Sequence, residues 1–89
     1  MSRGMKQMAE DIPHDTREKI LLDWLPSAKA SLSDKNFKLL WEAYFIYIEP
    51  NGIRKTDCPK CVQNVFNNWN LMRPALIKAE KRYNALEDI

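Results

Sequence analysis

Residues 39–48 read LLWEAYFIYI and hold four of the nine aromatic residues of this 89-residue chain. Ser33 can cap a helix that begins at Asp34, whose carboxylate suits the positive end of the helix dipole. Pro50, followed by two turn-forming residues, ends the stretch, because proline has no N–H to continue the hydrogen-bond ladder. The pattern predicts a central helix from Asp34 to about Glu49.

The central helix has two apolar stripes, which together occupy most of its circumference. The first follows the i, i+3, i+4, i+7 spacing of a helix face and consists of Phe37, Leu40, Trp41, Tyr44, Tyr47 and Ile48. A helix that is apolar nearly all round must be covered on several sides, and a chain this short offers little cover. We therefore expect the second stripe and its neighbouring phenylalanine to bind a partner. These residues are Leu39, Ala43, Phe45 and Ile46.

Composition indicates a single all-α domain. The hydrophobic fraction of 45% and the charged fraction of 29% are those of an ordinary globular protein. The chain has only two glycines, and its apolar residues recur with helical periodicity. A net charge of +2 is too small to indicate nucleic acid or membrane binding by itself. No secretory signal or membrane-spanning stretch is apparent, so we expect a cytoplasmic protein that is not secreted.

The chain divides into a flexible N-terminal arm over residues 1–14 and a single helical domain over residues 15–89. The arm has scattered charges without a clean period. The expected architecture of the domain is a compact bundle of about four short helices. Pro74 should separate the last two helices, because a proline ring clashes with the preceding turn. The predicted helices cover residues 15–25, 34–49, 59–72 and 74–86, and the first of them either ends near Leu25 or kinks at Pro26 and continues to Leu32.

Cys58-Pro59-Lys60-Cys61 admits three interpretations. A tetrahedral zinc site needs four ligands, whereas this chain has two cysteines and one histidine, His14. Zinc binding would therefore require a four-cysteine site shared between two subunits. Redox chemistry is favoured by the helix N-terminus and Lys60, which stabilise a thiolate, but the thioredoxin-like βαβ pattern is missing. We favour reduced cysteines that pack as small apolar side chains, because a chain without a secretory signal suggests a reducing compartment.

Two groups of polar residues suggest a DNA-binding alternative. Amide side chains can pair with adenine edges in the major groove, and one face of the third helix carries Gln63, Asn64, Asn67 and Asn68. Phosphate could be held near the start of that helix by Arg54, Lys55 and Lys60. A solvated helix face or a polar contact between subunits is the ordinary explanation of the amides, and we favour it over DNA binding. Lys78, Lys81 and Arg82 form a further basic edge, for which solvation is the ordinary explanation and phosphate contact the functional one.

Residues 41–69 contain an aromatic helix, an I-x-P-N motif where that helix ends, a short basic loop and a C-x-x-C motif at the start of the following helix. Ile48, Pro50 and Asn51 form the I-x-P-N motif. In these features the chain resembles small uncharacterised helical proteins of tailed bacteriophages. The resemblance implies a viral origin, with the protein in the host cytoplasm or the virion. It implies no site residue, because that group has no established activity.

Catalytic motifs are absent from the sequence. There is no Ser/His/Asp set, no evident carboxylate pair and no glycine-rich phosphate loop. We expect a non-enzymatic protein–protein interaction or assembly module, which either forms a homo-oligomer or docks on a partner. The alternative is a small DNA-binding viral regulator or packaging factor. Neither function needs a cofactor or a small-molecule substrate, and zinc enters only through the shared cysteine site.

Overall fold

The computed structural model describes residues 4–87, apart from the side chains of Met5, Leu86 and Glu87. Four helices make up this part of the chain, and it contains no strand. The all-α prediction is therefore confirmed. The helices are α1 (Met5–Asp11), α2 (residues 14–27), α3 (residues 35–48) and α4 (Pro59–Glu87).

Two of the four helices change their winding partway along. In α2, a π-helical segment at Ile20–Trp24 joins the α-helical His14–Lys19 and Leu25–Ser27. In α3, the α-helical Lys35–Ala43 passes into a π-helical end at Tyr44–Ile48. These wider turns end α3 just before Pro50, where the sequence predicts the end of the helix.

The core is a single cluster to which all four helices contribute, and its largest side chains lie where α3 packs against α4. Phe37 and Leu40 of α3 are completely buried, as is Trp69 of α4. The Trp69 indole N–H donates a hydrogen bond to the Leu40 carbonyl oxygen at 2.9 Å. The first apolar stripe of α3 therefore faces the core, as its spacing predicts, and Trp69 is both the largest buried side chain and a polar link between the two helices.

The N-terminal segment is a packed helix, which corrects the expected flexible arm. Within α1 and the residue after it, Ala9 and Ile12 are almost completely buried. The buried guanidinium of Arg17 donates a hydrogen bond to the Ala9 carbonyl oxygen at 3.2 Å. A helix of only seven residues is too short to show a clear period, so its sequence did not reveal it. Residues 1–3 of the predicted arm lie outside the described residues.

Helix α4 runs through Pro74 without a break, which corrects the predicted boundary between a third and a fourth helix. Proline within a helix costs about 3 kcal/mol, because it cannot donate to the carbonyl four residues earlier. Contacts beyond the proline offset this cost: Leu76 and Ala79 are buried, and Glu80 binds Arg17 of α2. Tertiary packing therefore overrides the local rule.

Candidate functional site

The predicted partner surface on α3 is only half exposed. Leu39 and Ile46 have 38% and 55% of their surface exposed, whereas Ala43 and Phe45 are buried. The Phe45 ring meets its neighbours edge-on, with its centroid 5.0 Å from that of Trp41. The four residues therefore do not form one continuous surface, because two of them belong to the core.

Arg54, one of the three predicted phosphate-binding cations, accounts for part of the cover over Phe45. Its guanidinium lies over the Phe45 ring, 5.5 Å from the centroid, in a cation–π contact. It also donates a hydrogen bond to the Glu42 carboxylate at 2.8 Å. Lys55 and Lys60, the other two predicted phosphate-binding cations, are exposed.

The amide face predicted for DNA recognition is divided in the same way. Gln63, Asn64 and Asn67 are exposed on α4, and the Gln63 amide donates to the Asn67 side-chain oxygen at 3.0 Å. Asn68 is half-buried, and its amide donates to the Tyr44 hydroxyl at 2.9 Å. Asn68 is therefore part of the packing between α3 and α4, and three of the four amides face solvent.

The environment of Tyr44 shifts the pKa of its phenol. Its burial raises the pKa of the phenol above the ordinary 10.0. The hydrogen bond from Asn68 acts in the opposite direction, while the nearby Glu49 carboxylate raises the pKa further. The neutral phenol is therefore the form that the folded protein favours.

The two cysteines form a disulfide, which corrects the expectation of reduced side chains. Cys58 and Cys61 are joined across the first turn of α4, with their Cα atoms 5.2 Å apart, within the usual range for a disulfide. The Cys61 backbone N–H also points at the Cys58 sulfur, 3.2 Å away. Both residues are half-buried, so the predicted packing role is only partly realised.

A polar cluster joins the beginning of α2 to the second half of α4. The two ring nitrogens of His14 face two carboxylates: Nδ1 lies 2.8 Å from Glu80, and Nε2 lies 3.3 Å from Glu18. The imidazole stacks on the Tyr83 ring with a centroid separation of 4.0 Å. Arg17, which is buried, donates to the other oxygen of Glu80 at 2.7 Å.

This cluster contains potential metal ligands, since His14, Glu18 and Glu80 each bring one ligand atom within 4.8 Å of the others. The geometry fits an ion-pair network better. The two carboxylates lie against different nitrogens of the same ring, an arrangement that direct side-chain contacts account for. The Arg17 guanidinium also supplies positive charge to Glu80. We interpret the cluster as a polar clamp between α2 and α4.

An open groove of about 560 Å³ lies between α1 and the part of α4 from Leu71 to Arg82. Its floor is apolar and is formed by Leu71, Pro74, Ala75 and Ala79. Leu71 has 60% of its surface exposed, although it is a large aliphatic residue. Pro74 contributes its ring to the same floor. This is a continuous apolar surface, in contrast to the two separated residues on α3.

The rim of the groove is strongly basic. Four cations line it, Lys6 from α1 and Lys78, Lys81 and Arg82 from α4. The one acidic residue on the rim is Glu10, and Arg82 donates a hydrogen bond to it at 2.5 Å. The groove therefore carries a local surplus of three positive charges, which exceeds the net charge of +2 of the entire chain.

Sequence reasoning found part of this groove and missed the rest. The basic edge of Lys78, Lys81 and Arg82 was visible in the sequence. The apolar floor was not, because a predicted helix break at Pro74 placed Leu71 and Ala75 on different helices. The spacing of residues 71, 74, 75 and 78 would have indicated one face if the helix had been assumed to continue.

Comparison with known proteins gives no assignment: no family model, curated protein or solved structure matches the chain. None of the helices in the described part of the chain combines the length and the apolarity needed to cross a bilayer.

Proposed function

We propose that this chain is a non-enzymatic protein-interaction module that docks a protein partner in the groove between α1 and α4. The observation that carries the proposal is the open apolar floor around Leu71 and Pro74. Contiguous apolar surface rimmed by polar residues is characteristic of interaction sites.

The exposed residues of α3 support docking less well. Leu39 and Ile46 are seven residues apart, which separates them by about 10 Å along the helix axis. Isolated exposed aliphatic residues are common on protein surfaces and need no function. We therefore propose these two residues as a secondary contact at most, with the groove as the principal site.

The proposal can be tested by selecting peptides from a random display library on the wild-type protein. A matched pair of variants shows whether the selected peptides use the groove. Ala75→Trp places a large ring on the groove floor, and Ala85→Trp adds the same ring at an exposed position of α4 outside the groove lining. We expect selected peptides to bind the wild type and Ala85→Trp, and to lose binding to Ala75→Trp. Peptides that bind all three proteins equally would argue against docking in the groove.

Self-association is included in this proposal, because a second copy of the chain is itself a protein that could occupy the groove. A native mass spectrum of the untagged protein reports the number of subunits. An oligomer in the wild type that becomes monomeric in Ala75→Trp would identify the second copy as the partner.

DNA binding remains the second candidate, favoured by the exposed amides of Gln63, Asn64 and Asn67 on one uninterrupted helix. Titration with duplex DNA at several salt concentrations tests it, since phosphate contacts make affinity fall steeply with salt. An Asn64→Ala/Asn67→Ala variant should then lose sequence preference. Absence of binding at about 50 mM salt, where such contacts are strong, would remove this candidate.

A further inference from the structure

We infer that the segment of the partner that occupies the groove is an acidic amphipathic helix. This inference rests on the proposed function and adds the chemistry of the partner to it. Two independent features of the groove lead to it: the charge of the rim and the shape of the floor.

The charge of the rim selects an anionic partner. Lys6, Lys78 and Lys81 line the groove, and no carboxylate in the lining is available to them, because Glu10 is engaged by Arg82. An occupant with basic side chains would meet like charges at the rim and lose affinity. Opposite charges instead accelerate association and select the partner.

The length of the floor matches a helical segment. The lining contributed by α4 runs from Leu71 to Arg82, which is a rise of about 16 Å, or three helical turns. A groove between two helices accepts a third helix in the same way that helices pack in bundles. Anchoring side chains at i, i+3 or i+4 and i+7 of the partner would rest on Leu71 and Ala75.

An extended peptide fits the groove less well than a helix. Its backbone N–H and C=O groups would need partners, which a strand edge usually provides. Residues 4–87 form no strand, so the groove has no such edge. A helix satisfies its own backbone groups, and its apolar stripe can cover the floor while flanking Asp or Glu side chains reach the lysines of the rim.

The inference can be tested with three fluorescent peptides of about 15 residues, long enough to span the groove. The first is amphipathic with an acidic polar face. The second has the same apolar positions with a basic polar face, and the third is the acidic peptide with its sequence scrambled. We expect the first to bind at least about tenfold more tightly than the other two, a difference of about 1.4 kcal/mol. Its affinity should also fall as salt is added.

Two double variants with equal changes in charge provide the control. Lys78→Glu/Lys81→Glu reverses two charges on the rim, and Lys35→Glu/Lys38→Glu reverses two exposed charges with the same spacing on α3. The first pair should weaken binding of the acidic peptide about tenfold, and the second should leave it unchanged. An equal loss in both variants would overturn the inference, because only overall charge would then matter.

The remaining outcomes separate this inference from the proposed function. If the basic or scrambled peptide binds as tightly as the acidic one, the inference is overturned while docking in the groove stands. Binding to vesicles of phosphatidylcholine and phosphatidylserine without binding to any peptide would overturn it in favour of a lipid surface. A dimer that dissociates in Lys78→Glu/Lys81→Glu would overturn it in favour of a second copy. If the display library also yields no peptide dependent on the groove, both proposals fall.

Discussion

The two halves of α4, on either side of Pro74, are held against the rest of the molecule in different ways. The first half packs against the core through apolar side chains, of which Trp69 and Met72 are almost completely buried. The second half also buries Leu76, but its outer contacts are polar: Glu80 binds Arg17, and Arg82 binds Glu10. Beside these contacts the groove stays open.

This difference indicates where stability and binding are located. Apolar burial contributes most of the free energy of folding, and in α4 it is concentrated on the face that carries Trp69, Met72 and Leu76. Polar contacts in the second half fix the helix, while Leu71 and Ala75 line the groove on another face. Substitutions on the buried face should therefore reduce stability, and those in the groove should reduce binding.

The largest effect on stability is expected from Trp69→Ala. The variant loses a fully buried indole and the hydrogen bond to Leu40, so the free energy of unfolding should fall by about 4 kcal/mol. Urea denaturation followed by circular dichroism measures this change. Leu22→Ala, at a position 68% exposed on α2, is the control and should change stability by less than about 0.5 kcal/mol. Equal effects of the two substitutions would contradict the location of the core.

Glu80→Leu should have the next largest effect. It leaves the buried guanidinium of Arg17 without its carboxylate partner, which typically costs about 3 kcal/mol when the pair is this well buried. Combining it with Arg17→Met removes both charges, so the double variant should be more stable than Glu80→Leu alone. A double variant that is less stable than Glu80→Leu would show that Arg17 stabilises the fold mainly through its bond to the Ala9 carbonyl.

Tyr44→Phe should have a smaller effect that depends on pH. At neutral pH it leaves the Asn68 amide without its acceptor and should cost about 1 kcal/mol. Because the folded protein raises the pKa of Tyr44, it holds the phenolic proton more tightly than the unfolded chain does. The wild type should therefore lose stability as pH rises from about 10.

Tyr44→Phe cannot lose that proton, so the difference in stability between the two proteins should shrink at alkaline pH. Denaturation midpoints measured between neutral pH and about pH 11 show whether it does. Lysines also titrate in this range, but they are common to both proteins. A difference that grows with pH would mean that the pKa of Tyr44 is lowered.

The smallest effect on stability is expected from Leu71→Ser, which changes a residue that is already 60% exposed. Stability should stay within about 0.5 kcal/mol of the wild type, while binding of the acidic amphipathic peptide should be greatly weakened. Leu22→Ser removes a similarly exposed leucine from α2 and should affect neither property. If Leu71→Ser unfolds the protein, the division between a stabilising face and a binding face of α4 is wrong.

Helix α3 was predictable because its signals are local. The apolar period of Phe37, Leu40 and Trp41 identifies the buried face, and Pro50 marks the exit. The cap was displaced by one residue: Asp34 occupies the N-cap position, and the helix begins at Lys35. The burial of Phe45 could not be predicted in the same way, because part of its cover comes from Arg54 in the following loop.

The groove could not be predicted because its walls are far apart in the sequence. Lys6 and Glu10 come from the segment that was expected to be a flexible arm, and the floor spans Pro74, where a break was expected. Each of these predictions follows from a valid local rule. An isolated helix of seven residues is weak, and proline disfavours the interior of a helix. Contacts of α4 with both α1 and α2 reverse these conclusions, since Arg82 binds Glu10 and Glu80 binds Arg17.

The bond between Glu10 and Arg82 joins residues that are 72 positions apart in the chain. During synthesis, a nascent chain exposes its N-terminal segments long before Arg82 leaves the ribosome. Until then, α1 cannot form the groove, because α4 is not yet available to pack against it. Bringing Glu10 and Arg82 together also closes a long loop, which carries an entropic cost. The groove therefore forms only after α4 has been synthesised, and any partner that uses it must recognise the folded domain and not the emerging chain.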